Sequence, residues 1–156
     1  MSMPAETYQT STTLNELLQG FVDAPAIEIK GIASDSRQLS QGYLFLAVKG
    51  ASQHGLEFVD AAVRAGVAAI VYDESTADAV PTEVGIPLLG VPQLAQHLGA
   101  IADRYYAHPS TQLAVYAVTG TNGKTTVASM IAQCLQRLDR RCAYLGTLNN
   151  ELTTPP

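Results

Sequence analysis

Residues 115–126 read Val-Tyr-Ala-Val-Thr-Gly-Thr-Asn-Gly-Lys-Thr-Thr. An apolar β-type run passes through two glycines into a lysine and two hydroxyls. Gly120 and Gly123 let the backbone turn tightly. The amides of such a turn, with the first N–H groups of a following helix, offer fixed partial positive charge to an anion. Lys124 adds a full charge. The Thr125 hydroxyl is a suitable ligand for a magnesium ion carried by phosphates. The predicted chemistry is binding of a nucleoside triphosphate, ATP in the first instance. The spacing is shorter than the common one, because Val118 stands where a first glycine is usual. A bare Gly-x-x-Gly-Lys-Thr string also arises by chance, as a Gly-Asn turn whose Lys124 faces solvent. The preceding strand pattern and the following amphipathic pattern favour the phosphate reading.

Those flanking patterns belong to a longer alternation. Thr13 and Glu16 fit a capping box ahead of Leu17, Leu18 and Phe21, with Gly20 near the helix end. Residues 27–33 alternate as an extended segment, followed by the polar loop Ser34-Asp35-Ser36-Arg37. Residues 43–48 form a second β-type run. Residues 55–65 read as one helix, with Leu56, Phe58, Val59, Ala62 and Val63 on one side and Gly66 as its stop. Strands are expected at 67–72 and 86–91, separated by an acidic loop, and Asp73, Glu74, Asp78 and Glu83 read as a solvated face. Pro92 is expected to open a helix whose buried stripe is Leu94, Leu98, Ile101, Ala102 and Tyr105. Residues 113–118 then form the strand before the phosphate loop. Residues 124–138 form a helix packed on a sheet through Val127, Met130, Ile131, Cys134, Leu135 and Leu138, and 142–145 form a further strand.

This order predicts an α/β fold in two parts. A small domain covers residues 1–110. A second unit, 111–156, begins as a strand–loop–helix–strand and then stops. One βαβ unit cannot cover both faces of a parallel sheet, so the second part reads as truncated and the chain as a fragment.

Composition narrows the partners. The 156 residues are 47% hydrophobic with a formal charge of −5, so a core can form, and no basic run suits a nucleic-acid backbone. No apolar stretch spans a bilayer, and residues 1–10 lack the pattern of a secretion signal. Cys134 and Cys142 are the only cysteines, too few for a disulfide framework. They read as reduced thiols of a cytoplasmic protein, Cys134 within a helix core face. His54, His97 and His108 lie in separate segments without ligand spacing, and His97 reads as solvated. Asp35 and Arg37 could simply pair across their loop.

The segment Val118-Thr119-Gly120-Thr121-Asn122-Gly123-Lys124-Thr125-Thr126 closely resembles the ATP loop of the Mur ligases, which has this shortened form. Asp35-Ser36-Arg37, with Gly42-Tyr43-Leu44-Phe45 and Gly50, resembles the start of that family's uridine-nucleotide-binding domain. Leu145-Gly146-Thr147-Leu148 and Thr153-Thr154-Pro155 resemble its Gly-Thr and Thr-Thr-Pro segments. The likeness runs from about Thr13 onward, and its three motifs fall in order.

The resemblance implies a small N-terminal α/β uridine-nucleotide-binding domain, then the truncated start of a P-loop ATPase domain. It implies ATP-dependent amide ligation in peptidoglycan synthesis, adding meso-diaminopimelate or L-lysine through an acyl phosphate, with Mg²⁺ as cofactor. Ser34, Ser36, Ala51, Ser52 and Gln53 are then expected on the uridine nucleotide, and Thr153 and Thr154 on the sugar–diphosphate region. Gly120, Thr121, Asn122, Gly123, Lys124, Thr125 and Thr126 are expected on ATP, with Lys124 catalytic and Thr125 at the metal. The substrate is a small-molecule UDP-sugar peptide, and a monomer is expected, inactive as this fragment alone. Two rivals are a D-alanyl-D-alanine-adding ligase and a non-catalytic UDP-sugar- or nucleotide-binding module. Family members carry histidine where Ala51 stands and aspartate where His54 stands, and have a longer connection than residues 147–152.

Overall fold

The computed structural model describes residues 12–50, 53–77, 79–82 and 84–146, and the backbone of 150–153. The chain divides into two compact units, Met1–Gln112 and Leu113–Pro156.

The first unit is built on a four-stranded parallel sheet in the order β3-β4-β5-β6. These strands are β3 (Gly31–Ala33), β4 (Tyr43–Ala47), β5 (Ala69–Asp73) and β6 (Leu88–Val91). The β-run side chains alternate between two faces. Leu44 and Leu46 of β4, with Ala69 and Val71 of β5, join α1 (Leu14–Leu18) and α3 (Leu94–Tyr105) in one core. Phe45, Ala47 and Ile70 face the other way, onto Leu56, Val59 and Ala62 around α2 (Val59–Ala65). Both faces are covered, which is why the strands read as near-continuous apolar runs.

Ahead of the sheet, β1 (Thr12–Thr13) pairs antiparallel with β2 (Glu28–Ile29). The extended run at 27–33 therefore serves two sheets, splitting at Lys30. The Tyr105 hydroxyl donates to the Lys30 carbonyl at 2.8 Å across that split. The Glu16 carboxylate accepts from the Thr13 N–H at 2.9 Å and from its hydroxyl at 2.6 Å, closing the start of α1 as the capping pattern predicts. At the other end, Arg104 Nη1 donates to the carbonyls of Leu17 and Gln19 at 2.7 and 2.8 Å, while its guanidinium lies 4.8 Å from the Phe21 ring centre. One side chain thus satisfies the last carbonyls of a short helix and fixes it to α3.

Several expectations for this unit need correction. Residues 55–65 are not one helix: a 3₁₀ turn at Gly55–Phe58 precedes α2. Val63 is exposed rather than part of the packed side. Pro92 does not open α3. Gln93 adopts φ 55° and the helix starts at Leu94, because the chain must first turn back from β6. His97 is half-buried and stacks on Phe21 at 4.5 Å between ring centres.

Asp73 is the largest departure. It is 3% exposed rather than solvated, while Asp78 and Glu83 lie outside the described residues. As the last residue of β5 it points over the sheet edge. Its Oδ1 accepts from the Ser75 N–H at 3.1 Å and its Oδ2 from the Ala95 N–H at 3.3 Å, in the first turn of α3. A buried carboxylate is stable here because one turn N–H and one N–H from the start of α3 offset its lost water. Asp73→Ala is expected to cost about 1–3 kcal/mol in urea unfolding, since it removes two part-buried hydrogen bonds to a charged acceptor. Asp73→Asn, which keeps one acceptor, should cost less.

In the second unit, α4 (Lys124–Arg137) precedes an antiparallel pair, β7 (Cys142–Leu145) with β8 (Asn150–Thr153). Of the expected strand–loop–helix–strand, the helix and the strand at Cys142–Leu145 form, and the strand at 113–118 does not. Residues 113–118 have no ladder partner among the described residues, and Val115 is 79% exposed. A strand needs a neighbour to hold its amides. For the same reason α4 does not bury its predicted stripe: Val127, Met130, Ile131 and Leu138 are exposed, as is Cys134, and only Ala132 is buried.

Candidate functional site

The parallel sheet sends all its strands the same way, so the loops after β3, β4, β5 and β6 gather at one carboxyl edge. That edge is where open α/β sheets bind ligands. Ser34 and Ser36 follow β3, and Gln53 follows the neighbouring β4. The structure therefore brings these three sequence-predicted residues to adjacent loops. Ala51 and Ser52 lie outside the described residues, as does Thr154. Thr153 is in β8, opposite Cys142, and belongs to the second unit.

The loop after β3 is a compact 3₁₀ turn at Ser36–Gln38 capped by Asp35, whose Oδ1 accepts from the Arg37 N–H at 2.9 Å. The Arg37 guanidinium folds back onto the same carboxylate, Nε to Oδ1 at 2.9 Å and Nη2 to Oδ2 at 2.6 Å. The pair is thus formed, and it braces the turn that presents Ser36. These hydrogen bonds hold the Asp35 carboxyl at about 2, below its ordinary 3.8. A lowered carboxyl favours the folded turn above its ordinary value, and that contribution is lost as pH falls toward 2. In a carbon-detected NMR titration Asp35 is expected to protonate near pH 2, and Arg37→Leu to move that midpoint up toward 4.

The loop after β4 is closed at its base. Gly50 N–H donates to the Gln53 carbonyl at 2.8 Å, and Gly55 N–H to the Val48 carbonyl at 2.9 Å. A Cβ on Gly55 would stand 2.5 Å from Ala47 Cα, so only glycine lets the chain pass this close to the end of β4. The Glu57 carboxylate accepts from the His54 N–H at 2.9 Å and from Gln53 Nε2 at 3.1 Å. His54, Asp73 and Thr76 belong to this edge and were not assigned to a site from sequence. The available signal was a run of polar residues directly after each buried strand.

In the second unit the phosphate-type loop is formed as its glycines predict. Gly120 has φ 151° and Gly123, the residue before α4, has φ 77°; both are conformations that side chains resist. Helix geometry leaves the N–H groups of Lys124, Thr125 and Thr126 without intrahelical acceptors, at the positive end of a 14-residue helix. Lys124 Nζ donates to the Gly120 carbonyl at 2.6 Å and the Thr121 carbonyl at 3.4 Å. The ammonium thus lies against the loop rather than reaching into solvent. Thr121, Asn122, Thr125 and Thr126 are exposed around it. Lysine, free amides and an adjacent hydroxyl fit a magnesium–nucleoside triphosphate. Among the described residues there is no group of three or more His, Cys, Asp or Glu that could hold a metal ion.

Residues 28–106, half of the chain, match the sequence profile of the Mur ligase family catalytic domain. This chain belongs to the Mur ligase family. Residues 118–156 match the Mur ligase middle domain. A UDP-N-acetylmuramoyl-L-alanyl-D-glutamate–2,6-diaminopimelate ligase of Pseudomonas putida is 42% identical over 136 residues, covering 81% of this chain and 27% of that protein. The ligase of the same name from Alkalilimnicola ehrlichii is 38% identical over 148 residues, covering 88% of this chain and 30% of that protein. Among solved structures, MurF from Acinetobacter baumannii superposes with TM-score 0.62 at 32% identity, covering 89% of this chain and 30% of that one. MurF of Thermotoga maritima, solved in complex with ADP, shares the fold at 24% identity and TM-score 0.53 over 76% of this chain and 26% of that one. The chain therefore spans under a third of the length of the Mur ligases it matches.

Proposed function

We propose that this Mur ligase chain supplies the uridine-nucleotide-binding domain and the opening of the ATP-binding domain of an ATP-dependent amide ligase. The reaction adds 2,6-diaminopimelate to UDP-N-acetylmuramoyl-L-alanyl-D-glutamate in peptidoglycan synthesis. The observation that carries this reading is the glycine loop ahead of α4, with Lys124 folded over its carbonyls and first-turn N–H groups free for phosphate. The relatives at 38–42% identity supply the substrate class.

In the reaction a glutamate carboxylate oxygen attacks the γ-phosphorus of ATP, and ADP leaves. The amine then attacks the acyl carbon, loses a proton and expels phosphate. The chain's part is positioning and charge stabilisation. Gly120, Thr121, Asn122, Gly123 and Thr126 cradle the phosphates, and Lys124 meets the charge that builds on the transferred group. Thr125 would hold magnesium in part, and the ion would supply neutralisation of phosphate charge. Ser34, Ser36, Ala51, Ser52 and Gln53 hold the uridine end, while Thr153 and Thr154 serve the sugar–diphosphate region. The intact enzyme is proposed to act in the cytoplasm as a monomer. No helix among the described residues is long and apolar enough to cross a membrane.

The likeness to the MurF structures favours a second reading, a ligase that adds D-alanyl-D-alanine. Assaying the full reading frame separates them. The dipeptide precursor is supplied with ATP and meso-diaminopimelate or L-lysine, and the tripeptide precursor with D-alanyl-D-alanine. ATP-dependent product with diaminopimelate is expected. Product only with D-alanyl-D-alanine selects the second reading, and no product with any amine overturns both.

A further inference from the structure

The imidazole of His54 bridges two loops at the carboxyl edge of the sheet. Its Nδ1 lies 3.1 Å from the Leu56 N–H and accepts from it. That bond assigns the neutral tautomer with hydrogen on Nε2. Nε2 lies 3.0 Å from Thr76 Oγ1, and the Thr76 hydroxyl donates onward to the Asp73 carbonyl at 3.4 Å. Every donor in this chain has an acceptor. Among the described residues, the other hydrogen bonds of the 48–57 segment, including both to Glu57, run within it or to the adjoining Leu46 and Val59. Among the described residues, His54 makes the hydrogen bond that ties this segment to the loop after β5.

We propose that His54 is a positioning residue for the uridine nucleotide, acting through Thr76 to fix the loop end that carries Gln53. This rests on the reading above, that the first unit binds a uridine nucleotide. The chemistry of the side chain supports the role. An asparagine or aspartate oxygen could accept from the Leu56 N–H as Nδ1 does, but would end there. Only the far nitrogen of the ring crosses to Thr76. The local cap therefore needs only the near atom, and the second atom serves the relation between two ligand-edge loops. Holding that relation before ligand arrives lowers the ordering cost of binding.

The test is calorimetry with UDP on the full-length protein and its variants. His54→Asn keeps the cap and removes the bridge; Thr76→Val removes the bridge from the other side. Each is expected to weaken UDP about 3- to 10-fold, one neutral hydrogen bond's worth. The double variant should be no weaker than either single. KM for the uridine substrate should rise by the same factor, while kcat and the thermal midpoint stay at parent values. UDP binding by the parent that survives His54→Asn unchanged overturns this inference alone, as do strictly multiplicative losses in the double variant. No UDP binding by a folded parent overturns the uridine reading and this inference with it.

Discussion

Lys124→Ala in the full-length protein is expected to lower kcat by roughly 10²–10³-fold, the scale for removing one preorganised charge-stabilising donor. The affinity for the UDP-linked substrate should change by less than twofold. Two observations set this asymmetry. Lys124 Nζ sits against the Gly120 and Thr121 carbonyls, within the glycine loop ahead of α4. Ser34, Ser36 and Gln53 lie at the edge of the other unit's sheet, on separate loops. An interaction made with charge that builds up during transfer appears in kcat; one made equally before and during transfer appears in KM. Steady-state kinetics with varied uridine substrate at saturating ATP make the measurement. Equal losses in kcat and in uridine-substrate affinity would remove Lys124 from the phosphate role.

The largest expected stability effect is at Phe45. Phe45→Ala in the 156-residue chain should destabilise the first unit by about 3–5 kcal/mol, through lost transfer energy and the cavity left behind. Phe45 is 1% exposed at the centre of β4, between β3 and β5 on the α2 side of the sheet. Neighbours on both flanks leave little room to collapse into the space. Met130→Ala is the matched comparison. Met130 is 60% exposed on α4, so truncating its side chain should cost less than about 0.5 kcal/mol. Urea unfolding of both variants gives the contrast. A similar cost at the two positions would mean that the α4 stripe is covered in solution.

That contrast shows where pattern reading succeeds. Leu44, Leu46, Ala69 and Val71 alternate with Phe45, Ala47 and Ile70 over two covered faces, and each strand finds its partner within the chain. Residues 113–118 are equally apolar but find no such partner among the described residues. Val127, Met130 and Ile131 keep helical spacing, yet spacing predicts only that a face is suitable for burial. Whether another element covers it depends on chain elsewhere.

The candidate site divides the same way. The glycine turn, Lys124 and the helix start were legible because they are local: the turn and the first helical turn are consecutive in the chain. The Asp35–Arg37 brace, two residues apart, was local too. His54 with Thr76, and Asp73 with Ala95, were not legible. Each pair is separated by 22 residues and meets only because parallel strands return their carboxyl ends to one edge.

The sequence by itself determined the short-range features: the capped α1, the alternating strands of the sheet, the left-handed stop at Gly66 and the glycine turn with its lysine ahead of α4. Each follows from backbone sterics or side-chain periodicity within a few residues. Only the tertiary structure decided which apolar faces are buried, that Asp73 is an internal helix anchor, and that His54 bridges two loops. Burial and long-range hydrogen bonding depend on what a strand or helix meets, and the partner's position is fixed by the path of the whole chain.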